Sequence, residues 1–240
     1  MKVLLINGSS RKECTYTALS KVAESLNEEN IETEIVNLGA NSVRDCIGCK
    51  MCAKNGNRRC VFNDDIVNEI IEKAENSDGF VFGTPVYYAH PSGRILSVLD
   101  RVFYAGKKAF EFKPGASIVS ARRGGTVASF DVLNKYFSIS QMPIVSSTYW
   151  NNVHGNNKQE VEQDLEGMQT MYNLGKNMAW LIKCIENGKK DNINKPENKV
   201  VKTNFIRWNP KNGLKYSENC VNIIDTKKDV DAIWIWKQKL

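Results

Sequence analysis

Four of the seven cysteines fall within fifteen residues, as Cys46-x2-Cys49-x2-Cys52-x7-Cys60. Thiolates separated by two residues can converge on one centre, and three followed by a fourth suit a [4Fe–4S] cluster. Four thiolates also make a closed structural zinc site. A reduced, metal-free loop is the third reading of the same residues. Cys14, Cys184 and Cys220 stand apart from this run, with Cys184 expected on the buried face of a final helix.

A second set of residues points to an anionic ligand. The first apolar run breaks into Asn7-Gly8-Ser9-Ser10-Arg11-Lys12-Glu13-Cys14-Thr15-Tyr16-Thr17, where hydroxyls and two cations precede a helical pattern. Hydroxyls and free N–H groups at a helix N-terminus suit a terminal monophosphate. The alternative is a polar turn with Thr15 as an ordinary N-cap. The absence of GxGxxG disfavours a dinucleotide fingerprint. Further on, Pro85-Val86-Tyr87-Tyr88 forms a rigid aromatic rim on which a flat ring system could stack. In Ser120-Ala121-Arg122-Arg123-Gly124-Gly125, glycines would admit close backbone approach, and arginines would stabilise negative charge on a reduced flavin. A phosphate pocket, an aromatic wall and a cationic end together describe a site for FMN. Of the two histidines, His154 is expected at the same edge, either donating to flavin or substrate or making a structural hydrogen bond; His90 reads as a loop residue.

These loops require a scaffold that brings them to one edge. Strands are expected at Lys2–Ile6, Glu32–Asn37, Gly79–Gly83, Ala116–Ser120 and Ile144–Thr148, with amphipathic helical patterns between them. The longest pattern runs from Val161 to Ile185. Alternating strands and helices predict a five-stranded parallel sheet covered on both faces, whose loops after the strands share one edge. This α/β body is expected over residues 1–188. Residues 187–198 dissolve into Gly, Lys, Asn and Pro and read as a linker. Residues 189–240 then form a basic C-terminal extension. Its apolar segments Phe205–Trp208, Val221–Ile224 and Ile233–Trp236 are expected to dock on the body or a partner.

Lys and Arg number 33 against 27 Asp and Glu, and the extension, with 12 basic and 6 acidic residues, accounts for the whole excess. A neutral body argues against a nucleic-acid partner. No run approaches the ~20 apolar residues of a membrane span, and the start is too short for a signal-peptide core. The expectation is a cytoplasmic protein, in which clustered cysteines signal metal or redox chemistry before disulfides.

The segments MKVLLINGSSR, GTPVYYAHPSGRILSVLDRVFYA and SARRGGTVASFDVLNKYFSISQMPIVSSTYWNNVHG resemble the NADPH-dependent FMN reductase branch of the flavodoxin-like superfamily, over about residues 1–185. The cysteine spacing resembles that of the related iron-sulfur flavoproteins. The resemblance implies a flavodoxin-like three-layer sandwich binding FMN, with NAD(P)H as co-substrate. It implies that Ser9, Arg11, Thr15, Tyr16 and Thr17 hold the FMN phosphate. Pro85, Val86, Tyr87 and Tyr88 would flank the isoalloxazine, and Ser120, Arg122, Gly124 and Gly125 would contact its polar edge. The implied activity is reduction of a quinone, free flavin or other small acceptor. The alternative is an electron carrier between redox proteins, using flavin and a cluster on Cys46, Cys49, Cys52 and Cys60. A zinc-stabilised binding module without flavin is a third class, disfavoured by the intact tyrosine and Arg-Gly loops. The implied assembly is a homodimer or dimer of dimers.

Overall fold

Alternation along the first strands decides the layering. In β1 (Lys2–Asn7), Leu4 and Ile6 face one side of the sheet while Val3 and Leu5 face the other. In β3 (Gly79–Tyr87), Phe80 and Phe82 join the first side and Val81 the second. Strands apolar on both faces must be covered on both. The computed structural model describes residues 1–201, and Met1–Asn194 forms one compact unit.

Five strands run parallel in the order β2-β1-β3-β5-β6, with β2 at Glu32–Asn37, β5 at Gly115–Ala121 and β6 at Asn152–His154. A two-residue strand, β4 (His90–Pro91), pairs antiparallel with the end of β3. Helices α1 (Cys14–Glu28) and α7 (Leu165–Lys190) contribute to one core. Helices α3 (Val67–Glu75), α4 (Gly93–Gly106) and α5 (Thr126–Ile139) contribute to the other. That second core holds a cluster of phenylalanines in which Phe82 contacts Phe103, Phe110 and Phe137. The short helices α2 (Met51–Lys54) and α6 (Lys158–Gln163) complete the described elements, with a single 3₁₀ turn at Lys107–Ala109.

Three expectations need correction. The fifth strand is not Ile144–Thr148. Ile144 makes only an isolated bridge to Gly115, and the chain travels on before Asn152–His154 pairs with β5. The run from Val161 to Ile185 is two helices, because the Asp164 carboxylate accepts from Gly167 N at 2.9 Å and starts α7 afresh. Cys184 is exposed on α7 rather than buried. In addition, α7 continues to Lys190, so a boundary at residue 188 falls inside it. The apolar segments read as a docking tail, and Cys220, lie outside the described residues.

Candidate active site

The loop from β1 to α1 is folded around a buried asparagine. Asn7 Nδ2 donates to the Arg11 carbonyl at 3.1 Å and to Asn37 Oδ1 at 3.0 Å, while Asn7 Oδ1 accepts from Ser9 N at 3.2 Å. Gly8 N donates to the Gly83 carbonyl at 2.8 Å, tying this loop to the end of β3. A Cβ at Gly8 would lie 2.6 Å from that carbonyl oxygen, so only glycine fits. Ser92, the N-cap of α4, donates from Oγ to the Gly8 carbonyl at 3.0 Å and accepts from Ile95 N at 3.3 Å. The segments after β1 and β3 are thus tied to each other.

Thr15 is not an N-cap. Glu13 occupies that position without a side-chain cap, and its carboxylate instead accepts from Lys158 N at 3.1 Å. Thr15 lies inside α1, with its hydroxyl 2.7 Å from Ser120 Oγ at the end of β5. The first turn of α1 thus borders the cleft with no side chain capping its N–H groups.

The result is one cleft at the carboxyl edge of the sheet, holding about 170 Å³ of solvent space. It is lined by Ser9 and Arg11 of the β1–α1 loop, Thr15 of α1, Pro85, Val86 and Tyr87 at the end of β3, and Ser120 and Arg122 at the end of β5. The serine and threonine hydroxyls are buried, whereas Arg11, Arg122 and Tyr87 are exposed at the rim. Buried hydroxyls beneath guanidinium groups form a receptor for a dianion, since charge-assisted bonds are the strong ones. The Pro-Val-Tyr wall offers a flat apolar surface beside it.

Other expected residues stand elsewhere. Tyr16 and Thr17 line a neighbouring hollow together with Lys12, Lys21 and Lys158. Tyr88 and Ala89 are the central pair of the two-residue turn joining β3 and β4, with φ of 49° and 64°. Both central residues of such a turn need positive φ, which places Tyr88 at an exposed tip, away from the cleft lining. Gly124 and Gly125 do not line the cleft either. Gly125, at φ 92°, lets α5 begin against the turn, for a Cβ there would meet Ala89 Cα at 2.6 Å. His154 sits at the end of β6, half-exposed beside the cleft. Its backbone N donates to Asp164 Oδ2 at 2.7 Å, and its Nδ1 lies 3.7 Å from the same oxygen.

The cleft also includes residues that sequence reasoning missed: Glu13, Cys14, Gly155 and Asn156. Cys14 Sγ approaches the Gly155 carbonyl at 3.5 Å, and burial pushes its thiol pKa up. Gly155 and Asn156 follow directly on β6, so recognising the true last strand would have found them.

Cys46, Cys49, Cys52 and Cys60 line a second hollow, walled by Ile47, Val61, Phe62 and Ala105. Burial raises the Cys52 thiol pKa, and Cys49 and Cys60 add to the shift. The donor set is all sulfur, which fits the soft ligation of iron–sulfur or zinc. As they stand, no three His, Cys, Asp or Glu side chains among the described residues close on one metal ion. A single zinc would need its sulfurs at about 2.3 Å from one point.

The sequence profile of the family described as NADPH-dependent FMN reductase matches residues 1–157. An iron-sulfur flavoprotein of Methanocaldococcus jannaschii is 34% identical over 197 residues, spanning 78% of this chain and all of that protein. The chain belongs to the FMN reductase family. A second iron-sulfur flavoprotein of that organism is 27% identical, over 71% of this chain and 91% of its own. Among solved structures, an archaeal flavodoxin aligns with a TM-score of 0.54 at 11% identity, covering 76% of this chain and 99% of the flavodoxin. A WrbA-like flavodoxin from Agrobacterium tumefaciens aligns at 0.55 and 13%, covering 76% and 97%. The chain therefore has the flavodoxin-like fold, and its family makes it a flavoprotein oxidoreductase with FMN as cofactor. No helix among the described residues is long and apolar enough to cross a membrane.

Proposed function

We propose that the protein is an NAD(P)H-dependent reductase that binds FMN in this cleft and passes its electrons to a quinone, free flavin or other small acceptor. The observation carrying this reading is the convergence of buried hydroxyls, two rim arginines and an aromatic wall in one cleft. Ser9, Arg11, Thr15 and Ser120 would hold the phosphate. Pro85, Val86 and Tyr87 would flank the ring, and Arg122 would face its polar edge. Bound FMN supplies hydride chemistry toward nicotinamide and electron transfer toward acceptors. The chain's own share is to bind, orient and shield: the loops tied through Gly8, Gly83 and Ser92 keep the receptor rigid, and Arg122 offsets negative charge at the rim.

Within the same reading, Cys46, Cys49, Cys52 and Cys60 hold a [4Fe–4S] cluster, as the names of the relatives suggest and a cytoplasmic setting permits. Helix α4 starts at Ser92, which is bonded to the β1 loop that borders the cleft, and reaches the cysteine hollow with Arg101, roughly 14 Å along its axis. That shared element favours a second reading, a carrier passing electrons to a redox protein. Steady-state oxidation of NADPH or NADH by the purified flavoprotein, with a quinone or free flavin as acceptor, separates the two. Turnover supports the reductase; flavin that neither nucleotide reduces supports the carrier.

The exposed Tyr87, Tyr88 and Tyr104 lie on the faces that carry these two sites. They supply apolar surface for a homodimer or dimer of dimers of closed symmetry. Light scattering should give a multiple of the 27.1 kDa chain mass at micromolar concentration. A fully active monomer would remove the assembly from the proposal.

A further inference from the structure

Arg101 is the bulkiest fully buried side chain among the described residues, with 1% of its side chain exposed. A buried charge is costly unless every donor finds a partner. All five guanidinium N–H groups do so here, and each partner belongs to the cysteine loop. Nε donates to Cys60 Sγ at 3.3 Å. Nη1 donates to the Arg44 carbonyl at 3.1 Å and to the Asp65 carboxylate. Nη2 donates to Asp65 Oδ1 at 3.2 Å and to the Phe62 carbonyl at 3.5 Å. The Phe62 ring centroid lies 4.5 Å from the Arg44 guanidinium carbon and 5.4 Å from that of Arg101. The only regular structure in this loop is the single turn of α2, so a side chain on α4 supplies its framework. Asn68 adds a separate clamp on the Cys60 backbone, accepting from its N at 2.8 Å and donating to its carbonyl at 2.9 Å.

We propose that Arg101 is the positioning residue of the cysteine site: it anchors the thiol-bearing loop to α4 and, by donating to the Cys60 sulfur, sets the reduction potential of the cluster bound there. This rests on the iron–sulfur reading above. Hydrogen bonds to cluster sulfurs and positive charge beside them both raise the potential, because each stabilises the more negative reduced state. Asp65 cancels the Arg101 charge, leaving the hydrogen bond as its local effect.

The test compares Arg101→Lys and Asp65→Asn with the wild-type holoprotein. Lysine keeps the charge but cannot reproduce the fork or the Nε bond. Its cluster should shift to a more negative midpoint potential and lose iron to a chelator at least about tenfold faster, with FMN content unchanged. Asp65→Asn leaves the arginine charge unpaired, so its midpoint should shift the opposite way. A loosened loop alone would not produce opposite signs. Should Arg101→Lys fail to fold, the positive shift in Asp65→Asn decides. Wild-type potentials in both variants would overturn the proposal and leave the cluster reading intact. If the wild-type protein takes up no iron under anaerobic reconstitution, the cluster reading fails by itself. Anchoring is then decided by hydrogen exchange over residues 58–66 in metal-free protein: about tenfold faster exchange in Arg101→Lys supports it, and unchanged exchange overturns it.

Discussion

Riboflavin is expected to bind the apoprotein roughly a thousandfold more weakly than FMN, because hydrogen bonds to a charged group contribute about 1.5–3 kcal/mol each and each 1.4 kcal/mol is tenfold. Two or three such bonds surviving the desolvation of the dianion suffice for that ratio. The donors are in place: Arg11 stands at the rim, Ser9 and Thr15 lie buried below it, and the first turn of α1 has no side-chain cap. Thr15→Val provides the internal control. It keeps the shape, removes one hydroxyl and leaves Ser120 Oγ without its 2.7 Å partner. FMN affinity should fall by about tenfold or more while riboflavin affinity barely changes. Fluorescence titration of both flavins against both proteins measures the ratio. Equal affinities for riboflavin and FMN in the wild type would mean that the phosphate lies elsewhere.

That experiment depends on a cleft only partly legible in the sequence. Strands β1, β2, β3 and β5 were readable because their apolar residues serve two cores. Leu4 and Ile6 on one face and Val3 and Leu5 on the other leave a continuous apolar run, as a strand covered on both faces requires. The last strand was not readable. Ile144-Val145 is more apolar and β-branched than Asn152-Val153-His154, yet Val153 is the buried residue that pairs with Ser120. A three-residue strand with one apolar position carries no periodicity. Gly155 and Asn156, which follow that strand directly, complete the cleft. The turn at Tyr88 was not legible for a different reason. Two-residue hairpins usually announce themselves with Asn-Gly, and Tyr88-Ala89 adopts that conformation without that signal. Arg101 was invisible because its charge suggests a solvated helix face. Its burial is imposed by a loop some forty residues earlier, which no local window can register.

Replacing Cys49 by alanine is expected to abolish bound iron and leave FMN in place. Anaerobically prepared wild-type protein should carry about four irons and four sulfides per chain, since a [4Fe–4S] cluster takes four thiolates. Cys49 is one of the four that line the hollow, and its removal leaves three. FMN should stay because no cleft residue comes from the cysteine loop; the two linings share no side chain. Flavin reduction by NAD(P)H should therefore persist in the variant, for it requires only nicotinamide at the flavin. Delivery of single electrons to an external protein acceptor should fall, because the relay beyond the flavin is gone. Rapid-mixing spectroscopy of the two half-reactions, with metal analysis of both proteins, measures each part separately. Zinc would leave another record: a colourless metal, no added reducing equivalents on titration, and a loss of stability with the substitution as metal-linked folding energy disappears. If neither metal accompanies the wild-type protein and both half-reactions match in the variant, the four thiols serve no redox purpose. The flavin reading would survive that result, because its phosphate receptor and aromatic wall are built from loops the substitution does not touch.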